Sequence, residues 1–169
     1  NMGAQITGAG TSVIKIHGVE KLKKGFIEII PDRIEAGTYT IIGALLGNSL
    51  KITNVIPDHI DALISKLKQA GANLLIEEDT ITCKKADKLT GVEIKTYYYP
   101  GFPTDLQQPM SALLTQAEGK STINETIYEN RFMHVKYLNE MGAKIKIKNQ
   151  VAEISGKTNL KGKEVTATD

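Results

Sequence analysis

The sequence is poor in several things that usually announce a class. It has one cysteine, no tryptophan and only 5% aromatic residues. A lone Cys83 excludes an internal disulfide and fits a reducing, cytoplasmic setting. Neither charge dominates: 21 basic against 19 acidic groups leave a net +2. That balance argues against a nucleic-acid surface, which concentrates positive charge. Long apolar runs are missing too. The longest, residues 41–46, is broken by Gly43 and falls far short of the roughly 18–20 residues that span a bilayer. Residues 1–11 are polar and glycine-rich, so no secretory leader is expected there.

Metal and cofactor signatures are equally scarce. His17, His59 and His134 are scattered, without HExxH or Cys/His spacing, so neither metal nor cofactor is expected. "GAGTS" (8–12) lacks the third glycine of a dinucleotide fingerprint and reads as a hairpin turn. Asn124-Glu125-Thr126 has the form of a glycosylation sequon, read as chance in a chain without a secretion signal. What remains is an ordinary globular composition, 41% hydrophobic and 24% charged, over 169 residues. That length holds one domain and part of another.

What is present is repetition. "NMGAQI" (1–6), "QAGANLL" (69–75) and "EMGAKIKI" (140–147) share a Gly-Ala pair followed by a strand-like run. "GFIEIIPD" (25–32), "GVEIKTYYYPGFPTD" (91–105) and "GKEVTATD" (162–169) share a strand that ends in an acid: Asp32, Asp105, Asp169. Two phrases recurring at nearly one period mark a structural repeat.

Each period reads as βαβαββ, which makes the fold class α+β. In the first, residues 26–30 form a strand. Asp32 caps a helix running to Leu46, with Glu35 three positions on. Residues 50–55 form a strand, and Pro57-Asp58 starts a second helix. Ile60, Leu63, Ile64 and Leu67 lie on one face of that helix, and Gly71 ends it. Strands 73–77 and 80–84 close the unit. In the second, the strands are 92–96, 121–125, 144–148 and 151–155, and the helices run from 104 or 105 to 118 and from about 130 to 141. "KIKIK" (144–148) alternates strictly and should present one wet face. Residues 4–8 and 12–17 read as the closing hairpin of an earlier unit, and 162–169 as the opening strand of a later one. The chain is therefore expected to be a piece of a longer polypeptide.

Two segments invite a chemical reading. Asp105 follows the stiff "YYYPGFPT" turn. It reads either as an N-cap or as one edge of an anion site where helix N-termini meet, together with Asp32 and Asp169. Arg131, in "ENRFMH" (129–134), reads as the opening of a helix, where a cation is unfavourable. It either holds a phosphate or carboxylate, or forms a surface salt bridge to Glu125 or Glu129. Arg33 shares the ambiguity. Cys83, mid-strand, reads as filler, and Tyr97–Tyr99 as packing at a strand end.

"PDRIEAGT" (31–38), "PGFPTDLQ" (100–107), "ENRFMHV" (129–135), "NEMGAKI" (139–145) and the terminal "ATD" (167–169) resemble, in order and over essentially the whole chain, the UDP-N-acetylglucosamine enolpyruvyl transferases. The resemblance implies two hinged domains, each of three βαβαββ units arranged as an inside-out barrel with helices inside and sheets outside. Residues 1–29 would end the first domain. Residues 30–169 would be part of the second, with repeats at about 25–84 and 91–155 and a third cut at 169.

The implied activity transfers enolpyruvyl from phosphoenolpyruvate to the 3′-hydroxyl of UDP-N-acetylglucosamine, in peptidoglycan synthesis in the cytoplasm. It needs a base, an acid and cations for phosphate and carboxylate. By resemblance, Asp105 contacts the sugar hydroxyl and is the base. Ile127 contacts the nucleotide sugar through its backbone, Arg131 is an active-site arginine, and Asp169 lies near the reacting centre. Cys83 does not sit in the family's catalytic cysteine motif. That loop and several cationic ligands are not among these residues, so the chain alone is expected to be inactive. The alternatives are the sister 3-phosphoshikimate 1-carboxyvinyltransferase and a non-catalytic binding fragment of the same fold. Two units without a third are also expected to leave Ile60, Leu63, Ile64, Leu67, Val135 and Leu138 uncovered, and either to self-associate through them or to have low stability as a monomer.

Overall fold

The computed structural model describes residues 2–166, which divide into two compact units between Ile30 and Pro31. The first unit contains an antiparallel hairpin of β1 (Gln5–Thr7) and β2 (Lys15–His17), with Ile6 opposite Ile16. "GAGTS" turns it, as the glycines suggest. Gly8 and Gly10 have positive φ, and Thr11 bonds Gly8 through both its amide and its hydroxyl. No strand forms over residues 26–30, contrary to the expectation, and Ile27, Ile29 and Ile30 are exposed. β-branched composition favours a strand only where a ladder and a packed face exist.

The second unit holds the repeats. In the first, α1 (Arg33–Leu46) starts at Asp32, whose carboxylate accepts from the Ile34 and Glu35 amides at 2.7 and 3.3 Å. Next come β3 (Leu50–Thr53), a 3₁₀ turn (Pro57–Ile60) running into α2 (Asp61–Gln69), β4 (Asn73–Ile76) and β5 (Thr80–Lys84). Gly71, at φ +94°, ends α2 as expected. The second repeat contains β6 (Glu93–Lys95), a 3₁₀ turn (Thr104–Leu106) leading into α3 (Gln107–Leu114), β7 (Gly119–Asn124), α4 (His134–Glu140), β8 (Ile145–Lys148) and β9 (Val151–Gly156).

The two sheets have matching order, β3-β5-β4 and β6-β7-β9-β8. β3 and β7 correspond, and only β7 carries the leading parallel strand, β6. The fold is α+β, without a closed barrel among the described residues. No helix among them is long and apolar enough to cross a membrane.

Several boundaries differ from expectation: β3 stops at Thr53 rather than 55, and the helices expected from Pro57-Asp58 and from 104 or 105 open as 3₁₀ turns, so that α2 begins at Asp61 and α3 at Gln107. α4 begins at His134 rather than near 130, because Asn130 is left-handed (φ 57°) and Phe132 turns inward to be buried. α3 ends at Leu114 rather than 118, and Thr115 caps it with its hydroxyl on the Ala112 carbonyl. No strand forms over residues 161–166, and Asp169 lies outside the described residues. The wet face of β8 is present in its lysines, but Ile147 is exposed as well.

The helices pack on one another and on the inner sheet faces. Gly37 of α1 lets α3 come close: a Cβ there would stand 2.4 Å from Leu106 Cδ1 and 3.2 Å from Leu63 Cδ2. Ile60, Leu63, Leu67, Leu106, Met110, Leu113, Leu114 and Ile123 are at most 1% exposed, and burial stabilises each by roughly 1.5–3 kcal/mol. Ile60, Leu63, Ile64, Leu67 and Val135 are thus core, and Leu138 packs against it. The apolar face expected to drive self-association is covered within the unit by the sheets and α1. The exposed apolar side chains of α1 are Tyr39, Ile42 and Leu46 instead.

His134 is a weak point in this packing. Its Nε2 is buried without a partner, and burial lowers its pKa from 6.5 to about 4. Between those values the unfolded chain takes up a proton that the folded chain refuses. Stability therefore falls as pH drops from 6.5 towards 4, by on the order of 3 kcal/mol from this group. The stability difference between the native chain and His134→Leu, followed by thermal unfolding, should widen in favour of the variant across that window. A pH-independent difference contradicts the assignment.

Candidate functional site

The question raised by "YYYPGFPTD" is why an acid follows so rigid a turn. The turn folds back on itself. Tyr97 N–H donates to the Phe102 carbonyl at 2.9 Å and Gly101 N–H to the Tyr98 carbonyl at 2.7 Å. Gly101 is required, since a Cβ would stand 2.6 Å from Tyr97 Cβ. Pro103 then leads into the 3₁₀ turn 104–106, which directs neighbouring residues to opposite environments. Leu106 is fully buried, while the Asp105 side chain is 49% exposed.

Asp105 is not an N-cap. The 3₁₀ turn has no side-chain cap, and the Asp105 carboxylate is held from another element. Arg131 Nη2 donates to Asp105 Oδ1 at 2.6 Å. Arg131 Nη1 donates to Thr104 Oγ1 at 2.9 Å. The Gln108 amide, assigned from its hydrogen-bonding neighbours, turns Oε1 to Arg131 Nε at 3.1 Å and Nε2 to the Thr104 carbonyl at 3.3 Å. The Tyr128 ring lies 4.9 Å from the guanidinium carbon.

Arg131 therefore does not open a helix. It lies three residues before α4, and its partner is Asp105 rather than Glu125 or Glu129. Every guanidinium nitrogen is engaged, which fixes the planar fork. Asp105 Oδ2 accepts no hydrogen bond among the described residues, and the side chain is half exposed.

Beneath this pair lies Glu125, 1% exposed, directly after β7. Its Oε1 accepts from Thr96 Oγ1 (2.8 Å), Ile127 N–H (2.9 Å) and Tyr128 N–H (3.3 Å). Its Oε2 accepts from Thr104 Oγ1 (2.7 Å) and Gln107 Nε2 (3.4 Å). Burial pushes this carboxyl up, but the bonds from Thr104, Ile127, Thr96 and Tyr128 outweigh it and hold it below the ordinary carboxylate value. Gln107 also donates to the Arg131 carbonyl at 3.1 Å. Ile127 thus spends its N–H inside the protein.

The fold brings Asp105, Arg131 and Ile127 together on one side of the second unit. Arg33, at the start of α1, lies 5.5 Å from the Tyr99 ring. Asp32, by contrast, is a helix cap. Cys83 is fully buried beside the Thr40 carbonyl, and burial pushes its thiol up to about 11. It is packing, not a nucleophile. No cluster of three His, Cys, Asp or Glu able to hold a metal occurs among the described residues.

The sequence reading offered Glu125 only as a surface partner for Arg131 and missed its buried role. Its segment was taken as a chance sequon, and its partners Thr96, Thr104 and Gln107 carry no spacing signal. Only the docking of β6, α3 and β7 assembles them.

Comparison with known proteins gives relatives that match over the whole chain. UDP-N-acetylglucosamine 1-carboxyvinyltransferase 2 of Listeria monocytogenes serotype 4b is 52% identical over all 169 residues. The corresponding transferase of Clostridium botulinum is 48% identical. In both cases the chain spans 40% of the relative's length. Among solved structures, the enolpyruvyl transferase NikO from Streptomyces tendae superposes with a TM-score of 0.84 at 28% identity, over 94% of this chain and 38% of that one. EPSP synthase from Acinetobacter baumannii superposes with a TM-score of 0.60 at 17% identity, over 95% and 38%, a likeness of fold alone. Residues 1–169 match one family throughout, and the chain belongs to it: the EPSP synthase (3-phosphoshikimate 1-carboxyvinyltransferase) family.

Proposed function

We propose that these residues form part of the substrate-binding wall of a UDP-N-acetylglucosamine enolpyruvyl transferase, acting in the cytoplasm at the first committed step of peptidoglycan synthesis. The observation that carries this is the Asp105–Arg131 pair: an accessible carboxylate with one oxygen tied at 2.6 Å and the other open. The 52% identity to a transferase of that name supports the choice of acceptor. Residues 1–29 then end one domain, and 30–169 supply the first two repeats of the other.

In the reaction the acceptor's 3′-oxygen adds to C2 of phosphoenolpyruvate while C3 gains a proton. The tetrahedral adduct then loses phosphate from C2 and a proton from C3. Asp105 takes the hydroxyl proton on its open oxygen. Arg131 keeps that carboxylate aimed and adds positive charge near the anionic substrates. The Ile127 carbonyl binds the nucleotide sugar, and the acid at 169, outside the described residues, serves the same substrates by family resemblance. The acid for C3 and further phosphate ligands come from residues outside this chain, so the 169 residues alone release no phosphate.

Arg131→Lys should lower kcat/KM of the full-length enzyme by about 10- to 100-fold, since a lysine replaces a fork of charge-assisted bonds with one point charge. The unfolding midpoint should barely move. Steady-state kinetics beside thermal unfolding checks both.

The family's name favours a second acceptor, 3-phosphoshikimate. Phosphate release from phosphoenolpyruvate by the full-length protein, assayed with each acceptor separately, decides between them. Release that requires UDP-N-acetylglucosamine supports the proposal. Release only with 3-phosphoshikimate, or with neither, overturns it.

A further inference from the structure

Glu125 is a buried charge with no evident need to be one. Burying a carboxylate costs several kcal/mol unless it is matched by donors, and an apolar side chain would fill the space more cheaply. The site is nevertheless built for a full negative charge. Both oxygens face donors only: two hydroxyls, two backbone amides and one side-chain amide. A neutral glutamine would turn its NH₂ against hydrogens on one side or the other.

The polarity of the arrangement is equally directed. The Thr104 hydroxyl has one proton, and it goes to Glu125 Oε2 at 2.7 Å. Its oxygen is therefore left to accept, and what it accepts is Arg131 Nη1 at 2.9 Å. Arg131 Nη2 in turn reaches Asp105. On its other oxygen Glu125 fixes the Ile127 and Tyr128 amides, and the Tyr128 ring covers the Arg131 guanidinium. One buried carboxylate is thus the common anchor of two surfaces: the Arg131–Asp105 pair and the backbone of residues 126–128.

We propose that Glu125 is a positioning residue, which through Thr104 holds Arg131 and Asp105 in register with the Ile127 turn, so that nucleotide-sugar binding and proton removal share one rigid support. Its catalytic consequence rests on the function proposed above. Its structural consequence does not.

Two measurements separate them. The first is the Arg131 Nε–H signal in ¹⁵N-labelled 169-residue chain, in the native form, in Glu125→Gln and in Thr104→Val. The native signal should be resolved and slow to exchange. Both variants should shift it and speed its exchange at least several-fold, and Thr104→Val serves alone if Glu125→Gln fails to fold. An unchanged signal in a folded variant overturns the proposal, whatever the enzyme's substrate.

The second is a double-mutant cycle in the full-length enzyme. Turnover per folded molecule should fall about 10- to 100-fold in Glu125→Gln and in Thr104→Val, with the double variant no worse than the more impaired single one. Losses that multiply, or full turnover in folded Glu125→Gln, contradict action through Thr104. If the native enzyme shows no reaction with UDP-N-acetylglucosamine while the Arg131 signal responds as expected, the proposed acceptor fails and the positioning role stands.

Discussion

Replacing Asp105 by alanine in the full-length enzyme lowers turnover by about 10²- to 10⁴-fold, the usual contribution of a positioned general base. The fold should hardly notice. Asp105 caps no helix, and its side chain is half exposed. The interaction it loses is an ion pair of a kind that contributes roughly 0–1 kcal/mol at a surface. The unfolding midpoint should move by no more than a few degrees. Turnover per folded molecule and thermal unfolding, measured on the same preparation, make the test. A collapsed midpoint with turnover retained would show that Asp105 serves the fold.

The next residue gives the opposite result. Leu106 is fully buried and fills the space that Gly37 leaves in α1. Leu106→Ala removes its methyl groups from a core that can close only partly. That costs about 2–5 kcal/mol, or roughly 5–15 °C in the midpoint of a chain of this size. Because Leu106 also seats the 3₁₀ turn, activity should fall only as far as Asp105 is displaced. Two adjacent substitutions with opposite signatures follow directly from the turn: one side chain faces the open site, the next faces the core. Calorimetry on the 169-residue chain checks the second, and an unchanged midpoint for Leu106→Ala would contradict the packing described.

Much of this was legible in the sequence. Asp32 was readable as a cap because N-cap chemistry is local, needing only two amides in the next turn. Gly71 was readable because a left-handed position selects glycine. The βαβαββ period was readable because hydrophobic spacing and turn residues recur together. Other features depended on partners distant in sequence. Residues 26–30 look like a strand, yet strand composition alone supplies no ladder. Asp105 was readable as a cap or as the edge of an anion site, because nothing local reveals that Arg131, 26 residues on, takes its carboxylate. Leu63, Ile64 and Leu67 do share the buried face of α2, with Ile60 in the 3₁₀ turn before it, but periodicity does not say what covers that face; here α1 and the sheets do. The burial of Glu125 was hidden for the same reason. A buried carboxylate is defined by its donors, and these come from Thr96 just after β6, the turn before α3, α3 itself and its own following turn.

The central claim is that these residues serve the formation of a vinyl ether on an amino-sugar nucleotide. It is tested most directly by proton NMR of the product formed when the full-length protein is incubated with phosphoenolpyruvate and UDP-N-acetylglucosamine. The account predicts a pair of vinyl protons appearing in step with free phosphate, with the new linkage at the sugar 3′-oxygen, and their near-complete loss in Asp105→Ala. Phosphate without vinyl protons, or a vinyl ether formed equally well by folded Asp105→Ala, would contradict it.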